Sequence, residues 1–209
     1  MDIIKGLEWR YATKKFDSNK KIPNSVLEEL KKAIQLSASS YGLQPYQIIQ
    51  IDDKETRQKL YAASYNQSQI VDASHLFVFC SQLDVTSEDV KDYFHMKAQT
   101  NQLKAESLEA AANFVSGAIS QKTTQEMQTW TAKQTYIAVG TLLAAAGEAA
   151  VDSCPMEGFQ TEKYNQILGL IEKRLTANVV VTLGYRSADD KTSKNRKTRK
   201  PKERLFQKI

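Results

Sequence analysis

Arginine and lysine side chains stand at short spacing near both ends of this 209-residue chain. Arg10, Lys14 and Lys15 follow a short apolar segment at the start, and Lys202 and Arg204 lie close to the C-terminus. Guanidinium and ammonium groups that converge from two parts of a chain would bind an anion such as a phosphate monoester. Each cation could equally be a solvated surface charge, and the spacing alone leaves both interpretations open.

Side chains of the common catalytic constellations are scarce. Of the two histidines, His75 and His95, His75 directly precedes an apolar run, which favours a strand-edge histidine bonded to the backbone over a general base. The sequence has no Gly-x-Ser-x-Gly, no His-Glu-x-x-His, no Gly-x-x-x-x-Gly-Lys and no Gly-x-Gly-x-x-Gly. If the protein is an enzyme, we expect a bound cofactor to supply the reactive group.

Cysteine usage and hydrophobicity predict the compartment. Cys80 and Cys154 lie in apolar surroundings, with no Cys-x-x-Cys and no clustered histidines, which predicts buried free thiols rather than a disulfide or a metal site. No apolar stretch approaches the roughly 20 residues that span a membrane. The first five residues lack the apolar core and cleavage site of a signal peptide. We therefore expect a cytoplasmic protein without a membrane or metal partner.

The positive charge is concentrated near the C-terminus. Residues 191–204 contain eight Lys or Arg and one acid, a charge of +7, so the rest of the chain carries −2 of the net +5. A protein that grips a phosphate backbone usually spreads cations over a folded face, often with aromatic residues between them. This run has neither aromatic nor aliphatic residues through residue 202, which is typical of a solvated loop and disfavours a nucleic-acid partner. Length predicts one domain, 1–209, with a basic C-terminal arm at 190–209.

Helical and strand-like segments alternate along the chain. Asp2 is the expected N-cap of an opening helix that ends at Trp9, and Ser25 and Glu28 form a Ser-x-x-Glu capping box for a second, amphipathic helix. The other expected elements are a strand at 46–51, a helix at about 54–64, a strand at 76–80, helical structure from 88 to 119 and a strand at 177–185.

One expected helix, at 135–151, is apolar nearly all round, with Glu148 as its one charged residue. A helix without a polar face must be covered on every side. Its alanines and its two glycines, Gly140 and Gly147, would let another backbone approach closely. A central core helix in a monomer is one interpretation, and the sequence favours a core helix that also forms a large interface in a homodimer.

Six segments follow one another in the order of motifs known from a single protein family. They are Arg-Tyr-Ala-Thr-Lys-Lys-Phe at 10–16, Ser-Ala-Ser-Ser at 37–40 with Gln-Pro-Tyr at 44–46, Asn66, Trp-Thr-Ala-Lys-Gln at 130–134, Pro-Met-Glu-Gly-Phe at 155–159 and Lys-Glu-Arg-Leu at 202–205. Together they resemble the FMN-dependent nitroreductase family, in its oxygen-insensitive NAD(P)H nitroreductase and dihydropteridine reductase branch.

The resemblance implies a fold and an activity. The fold would be an α+β three-layer sandwich, in which a mixed, mostly antiparallel sheet is flanked by helices and two subunits interlock as a homodimer. The activity would be transfer of hydride from NADH or NADPH to FMN and then to a nitroaromatic, quinone or related small-molecule acceptor, in a ping-pong mechanism. The residues that would contact FMN are Arg10, Tyr11, Ala12, Lys14, Ala38, Ser39, Ser40, Asn66, Gln134, Pro155, Met156, Glu157, Gly158, Lys202 and Arg204.

Lys14, Glu157 and Gly158 are the residues that the resemblance implies in catalysis. Lys14 would stabilise negative charge near N1 and O2 of reduced flavin, and backbone N–H groups of the Glu157–Gly158 turn would donate to N5. Asn66 and the turn at 39–40 would border the ring in the same subunit.

The remaining contacts are divided between the phosphate and the second subunit. Arg10, Lys202 and Arg204 would hold the FMN phosphate, which gives the end of the basic arm a function. Gln134 and the region of Pro45 would come from the partner subunit.

Two residues depart from the family pattern. Ala12 replaces a serine whose hydrogen bond to the phosphate would contribute about 1.5–3 kcal/mol, and Gln69 stands where relatives often carry a second lysine near the ring. Phe114 is the candidate lid aromatic in a stretch, 103–128, that the resemblance does not align. Two alternatives remain open: an FMN-binding protein without turnover, and a nucleic-acid binder that uses the basic arm.

Overall fold

The computed structural model describes residues 2–209. Its helices are α1 (Ile3–Trp9), α2 (Asn24–Gln35), α3 (Lys54–Ala63), α4 (Gln69–Asp72), α5 (Ser87–Thr100), α6 (Glu109–Ser120), α7 (Thr124–Glu148), α8 (Thr161–Leu168) and α9 (Lys202–Leu205). Its strands are β1 (Tyr46–Gln50), β2 (His75–Gln82), β3 (Asp152–Met156) and β4 (Leu175–Gly184). Single 3₁₀ turns cover Ser40–Gly42, Ala105–Leu108, Ile171–Lys173 and Lys191–Lys194.

The four strands form one antiparallel sheet in the order β1-β2-β4-β3. The apolar runs of β2 and β4 pair at its centre, with Phe77 opposite Val181. Continuous apolar sequence is required there because both faces of these strands are buried. The edges of the sheet are β1 and β3.

Alternate residues of β2 supply two cores, one on each face of the sheet. Leu76, Val78 and Cys80 pack with residues from α3, α4 and α8, whereas Phe77 and Phe79 pack with residues from α2 and α7. The sheet therefore lies between two helical layers, and the predicted α+β three-layer architecture is confirmed. A third, separate cluster joins α5 to α6.

The long apolar helix is confirmed, but it begins eleven residues earlier than the apolar pattern indicates. Thr123 and Glu126 form a reciprocal capping box that starts α7. Near the other end, Gly147 meets the backbone of Gly6 in α1, where an added Cβ would lie 2.8 Å from the Gly6 oxygen. This close approach holds the middle of α1 against the end of α7 and so positions the residues that follow α1.

Of the two predicted helix N-caps, the structure confirms the one on α1 and contradicts the one on α2. Asp2 caps α1, since its carboxylate accepts the Ile4 N–H at 3.0 Å. The Ser25–Glu28 capping box is wrong, because α2 already begins at Asn24 and Ser25 lies inside its first turn, away from the N-cap. Glu28 instead pairs with Lys31 at 2.9 Å.

The sequence interpretation missed β3. Pro155 and Met156, the first two residues of the motif at 155–159, are the last residues of this strand, and the turn follows at Glu157 and Gly158. Proline is tolerated there because β3 is an edge strand of the sheet.

Other expectations concern single residues. His75 begins β2 as expected, but its Nδ1 lies 3.0 Å from the Ser74 hydroxyl rather than against backbone. Cys80 and Cys154 are buried and free, as predicted. Among residues 2–209, no helix combines the length and the apolar character that crossing a membrane would need.

Candidate functional site

The carboxylate of Asp190 joins the beginning of the basic arm to the segment after α1. Its Oδ2 accepts hydrogen bonds from the Tyr11 hydroxyl at 3.0 Å and from the backbone N–H groups of Lys14 and Lys15 at 2.8 and 3.2 Å. Its Oδ1 accepts from the N–H and the hydroxyl of Thr192 at 3.0 and 2.5 Å. Asp190 is 2% exposed, and the five bonds that it accepts are partly buried.

Those bonds decide the ionisation of Asp190. Burial by itself would raise the pKa of the carboxyl, but the hydrogen bonds from Thr192, Lys14 and Lys15 outweigh it and hold the pKa at about 2. Asp190 is therefore a carboxylate at neutral pH, and it accepts from the segments on both sides of it.

A second carboxylate, Asp152, holds the same region from β3. It pairs with Arg186, which follows β4, through Nη2 at 2.6 Å and Nε at 2.8 Å. The guanidinium lies over the rings of both Trp9 and Tyr11, at 4.2 and 4.6 Å from their centroids. Stacking and ion pairing thus fix the chain on either side of Arg10.

Arg10 lies at a cavity of about 530 Å³ between the end of α1 and the basic arm. The cations that line this cavity are Arg10, Arg196, Lys197 and Arg199. The Lys197 ammonium donates to the backbone carbonyls of Leu7 and Arg10, and among residues 2–209 the buried Nε of Arg10 has no partner. We call this feature the cationic cavity.

Like charges crowd the cationic cavity. Burial and the neighbouring Arg199 lower the pKa of Arg10, and burial, Arg10 and Arg199 lower the pKa of Lys197. Lowered pKa values for cations mean that the charged forms are disfavoured where they stand. An anion in the cavity would favour the charged forms of Arg10 and Lys197.

Lys202 and Arg204 do not line the cationic cavity. All four side chains are exposed, but Lys202 and Arg204 lie on α9, whereas Lys197 and Arg199, with the same Lys-x-Arg spacing, line the cavity beside Arg10. The assignment of Lys202 and Arg204 to a phosphate stays a prediction. Sequence reasoning missed Lys197 and Arg199, although the repeated Lys-x-Arg pattern contained the signal.

The segment from Arg10 to Lys14 runs beside β3. Ala12 forms a parallel bridge with Ser153, and the Thr13 N–H donates to the Ser153 carbonyl at 3.3 Å. Burial raises the pKa of the Cys154 thiol, and Lys14, Gln69 and Arg10 act against that rise. Lys14 and Gln69 are therefore neighbours of β3.

The turn after β3 is tied to the turn that contains Asn66. The Gln67 amide donates to the Gly158 carbonyl at 2.7 Å and to the Ser64 carbonyl at 3.1 Å. Asn66 is exposed and has a left-handed φ of 56°. Gly158 is exposed, and its N–H donates to no other group within residues 2–209. One set of predicted residues, which we call the β3 group, thus lies along β3 and its turn: Arg10, Tyr11, Ala12, Lys14, Asn66, Pro155, Met156, Glu157 and Gly158.

A second set of predicted residues, the Ser40 group, comprises Ala38, Ser39, Ser40 and Gln134. The Ser40 N–H donates to Gln134 Oε1 at 2.8 Å, and the Ser39 hydroxyl accepts the Gln44 N–H at 3.0 Å. The expectation that the turn at 39–40 and Gln134 come from different subunits is wrong, because this bond joins them within one chain.

The two groups lie on different faces of α7. Gln134 is buried against the Ser40 turn, whereas Tyr136 donates its hydroxyl to Glu157 Oε1 at 2.6 Å. Two residues of α-helix correspond to a rotation of about 200°. One chain therefore separates the β3 group from the Ser40 group. Tyr136 was also missed in the sequence, where it lies in a helix that reads as apolar.

This chain is similar to known proteins in both sequence and fold. The model of the Nitroreductase family matches residues 7–185, which run from the second half of α1 to the end of β4 and include every residue of both groups. The chain belongs to the nitroreductase family.

Individual members of the family agree with this assignment. A Staphylococcus saprophyticus protein with the provisional name NAD(P)H nitroreductase is 35% identical over 199 residues, with 90% of each chain covered. The solved structure of the Bacillus subtilis nitroreductase ydfN, whose name is also provisional, has a TM-score of 0.88 at 18% identity and covers 100% of this chain and 99% of its own. A nitroreductase structure from Exiguobacterium sibiricum, provisionally named and solved in complex with FMN, has a TM-score of 0.87 at 15% identity, with 100% and 98% covered. The nitroreductase fold is thus established for this chain.

Replacing Asp190 by Asn should lower the free energy of unfolding of this nitroreductase-family protein by about 2 kcal/mol at pH 7. The folded-state pKa of about 2 lies below the ordinary value of 3.8, so the carboxylate stabilises the fold above about pH 4 and this stabilisation is lost as the pH falls toward about 2. Urea unfolding of both proteins from pH 7 to pH 2.5 measures the difference.

The exposed neighbour Asp189 provides the matched control, because Asp189→Asn removes the same charge without those five bonds. Its stability should stay close to that of the original protein. Equal stability of Asp190→Asn and the original protein at pH 7, or a difference that persists unchanged at pH 2.5, contradicts the assignment.

Proposed function

We propose that this protein is an FMN-dependent NAD(P)H oxidoreductase that reduces nitroaromatics, quinones or related acceptors by a ping-pong mechanism. Family membership supports the reaction class, and the provisional name of the Staphylococcus saprophyticus relative supports the nicotinamide donor. The Exiguobacterium structure of the same fold holds FMN. Dihydropteridines belong to the acceptors to be tested, and we expect the protein to act in the cytoplasm.

The observation that carries the proposal is the cationic cavity. A phosphate monoester carries close to two negative charges at neutral pH, and it would accept from Arg10, whose buried Nε lacks a partner within residues 2–209. Lys197 and Arg199 add cations at the same cavity. We therefore assign the FMN phosphate to Arg10, Lys197 and Arg199, in preference to Lys202 and Arg204. The donor set suits a phosphate because all three side chains donate and none accepts.

The turn after β3 fits the ring end of the same cofactor. Gly158 is exposed, and its N–H has no partner in residues 2–209. If this residue carried a Cβ, the nearest atom to it would be Gln67 Nε2, at 3.3 Å. A planar ring can therefore approach this backbone closely.

The side chains would have separate functions once the cofactor is bound. FMN supplies a ring that accepts two electrons from a nicotinamide and passes them to an acceptor. The Lys14 ammonium would offset the negative charge that collects on the ring, and the Gly158 N–H would donate in the ring plane. Donor and acceptor would use the same open face in turn, which agrees with a sequence that has no dinucleotide-binding fingerprint.

We propose further that the protein is a homodimer in which the Ser40 group of one subunit completes the β3 group of the other. The separation of the two groups across α7 supports this arrangement. Apolar side chains of α1 and α7 are also exposed in the single chain, at 50% for Ile3, 58% for Ile4 and 44% for Ile137. Gly140 faces open space, where a second backbone could approach.

Purified protein should take up FMN and show the visible absorption of a flavin. Anaerobic NADH or NADPH should bleach it, and a quinone or nitroaromatic added after the nicotinamide is removed should restore the colour, because the two half-reactions are separate. Bound FMN that neither nicotinamide bleaches would identify a non-catalytic flavin binder. Colourless protein that binds DNA in a salt-sensitive manner would identify a nucleic-acid binder. Either outcome contradicts the proposal.

Arg199→Ala should weaken FMN binding about ten- to hundredfold, because it removes a charge-assisted bond to the phosphate. Arg204→Ala, with the same loss of charge from the Lys-x-Arg pair on α9, should bind FMN as the original protein does. Titration of both variants with FMN and with riboflavin makes the comparison, since riboflavin lacks the phosphate and should respond to neither change. Weak FMN binding by Arg204→Ala alone would return the phosphate to Lys202 and Arg204.

A further inference from the structure

Tyr136 and Glu157 form a short hydrogen bond between α7 and the turn after β3. The Tyr136 hydroxyl lies 2.6 Å from Glu157 Oε1, a distance typical of an O–H donor to a carboxylate. Both side chains border a cavity of about 420 Å³ that Val139, Gly140 and Leu143 line from α7. The bond is therefore on the same side of α7 as the β3 group.

Tyr136 remains the donor of this hydrogen bond throughout the pH range in which enzymes are usually assayed. Burial, followed by the bond to Glu157, raises the pKa of Tyr136 to about 12. The phenol keeps its proton well above neutral pH, so Tyr136 is the donor and Glu157 the acceptor.

The Gln67 side chain also holds this turn, through its backbone. Gln67 donates to the Gly158 carbonyl at 2.7 Å, whereas Tyr136 holds the neighbouring side chain of Glu157. The two tethers come from separate parts of the chain and act on adjacent residues. Loss of the Tyr136 hydroxyl would release the carboxylate while the backbone of the turn remains attached through Gln67.

From this geometry we infer that Tyr136 is a positioning residue, which fixes the Glu157 carboxylate and offsets part of its charge beside the flavin ring. The inference rests on the proposed function, in which the turn at Glu157 and Gly158 borders that ring. A negative charge near the ring opposes reduction, because reduction adds negative charge there. A carboxylate that is bonded to Tyr136 opposes reduction less than a free carboxylate does.

The midpoint potential of bound FMN tests this role, measured by equilibration with a redox dye. Tyr136→Phe keeps the ring and removes the hydroxyl, and it should lower the potential, so that the ratio of reduced to oxidised FMN falls about three- to tenfold at a fixed dye potential. Glu157→Gln removes the charge and should raise the potential. The double variant should match Glu157→Gln, because Tyr136 acts through the carboxylate.

Glu157→Asp breaks the same bond from the other partner and keeps the charge. Like Tyr136→Phe, it should lower the midpoint potential of bound FMN, and it replaces Tyr136→Phe in this test if that variant does not fold. Unchanged potentials in Tyr136→Phe and Glu157→Asp would overturn the inference, and so would a double variant whose shift is the sum of the single shifts. The proposed function would still stand in either case if the original protein binds FMN and is bleached by a nicotinamide. Failure of the original protein to bind FMN would instead remove the proposed function, and the inference with it.

Discussion

A single buried carboxylate determines where the basic arm lies. Asp190 accepts five hydrogen bonds that join residues 11–15 to Thr192, and it is 2% exposed. Asp190 thus places the start of the basic arm beside residues 11–15, and the Lys197 ammonium, which donates to the carbonyls of Leu7 and Arg10, holds the cations at 196–199 near Arg10. The ion pair of Asp152 and Arg186 fixes the same segment from the sheet. Two carboxylates therefore organise a cavity whose lining carries four cations and one acid, Glu8.

The periodicity of α7 imposes a second constraint. Gln134 and Tyr136 are two residues apart and face in nearly opposite directions. Residues that the family resemblance assigns to one flavin therefore lie on separate sides of one chain. In the proposed homodimer a second copy would reconcile the two sides, and the exposed apolar residues of α1 and α7 would provide the surface for it.

The sequence predicts some features of this protein because they depend on local patterns. The central strands are apolar runs, and Asp2 caps α1 directly before the first helical residue. The sequence does not predict β3, because this strand is short, contains Pro155 and depends on pairing with β4. Asp190 and Tyr11 are 179 residues apart, so no local pattern indicates their contact. The Lys-x-Arg pattern occurs three times, at 194–196, 197–199 and 202–204, and only the folded chain distinguishes the cations beside Arg10 from the pair on α9.

Binding of FMN by a mixed dimer tests most directly whether two subunits share each site. One chain carries Arg199→Ala, which damages the β3 side, and the other carries Gln134→Leu, which damages the Ser40 group. If each site draws one group from each subunit, one site of the mixed dimer receives both changes and the other receives neither. The mixed dimer should then bind one FMN with the original affinity, whereas both parent homodimers bind weakly. A mixed dimer without any site of original affinity would contradict the shared site.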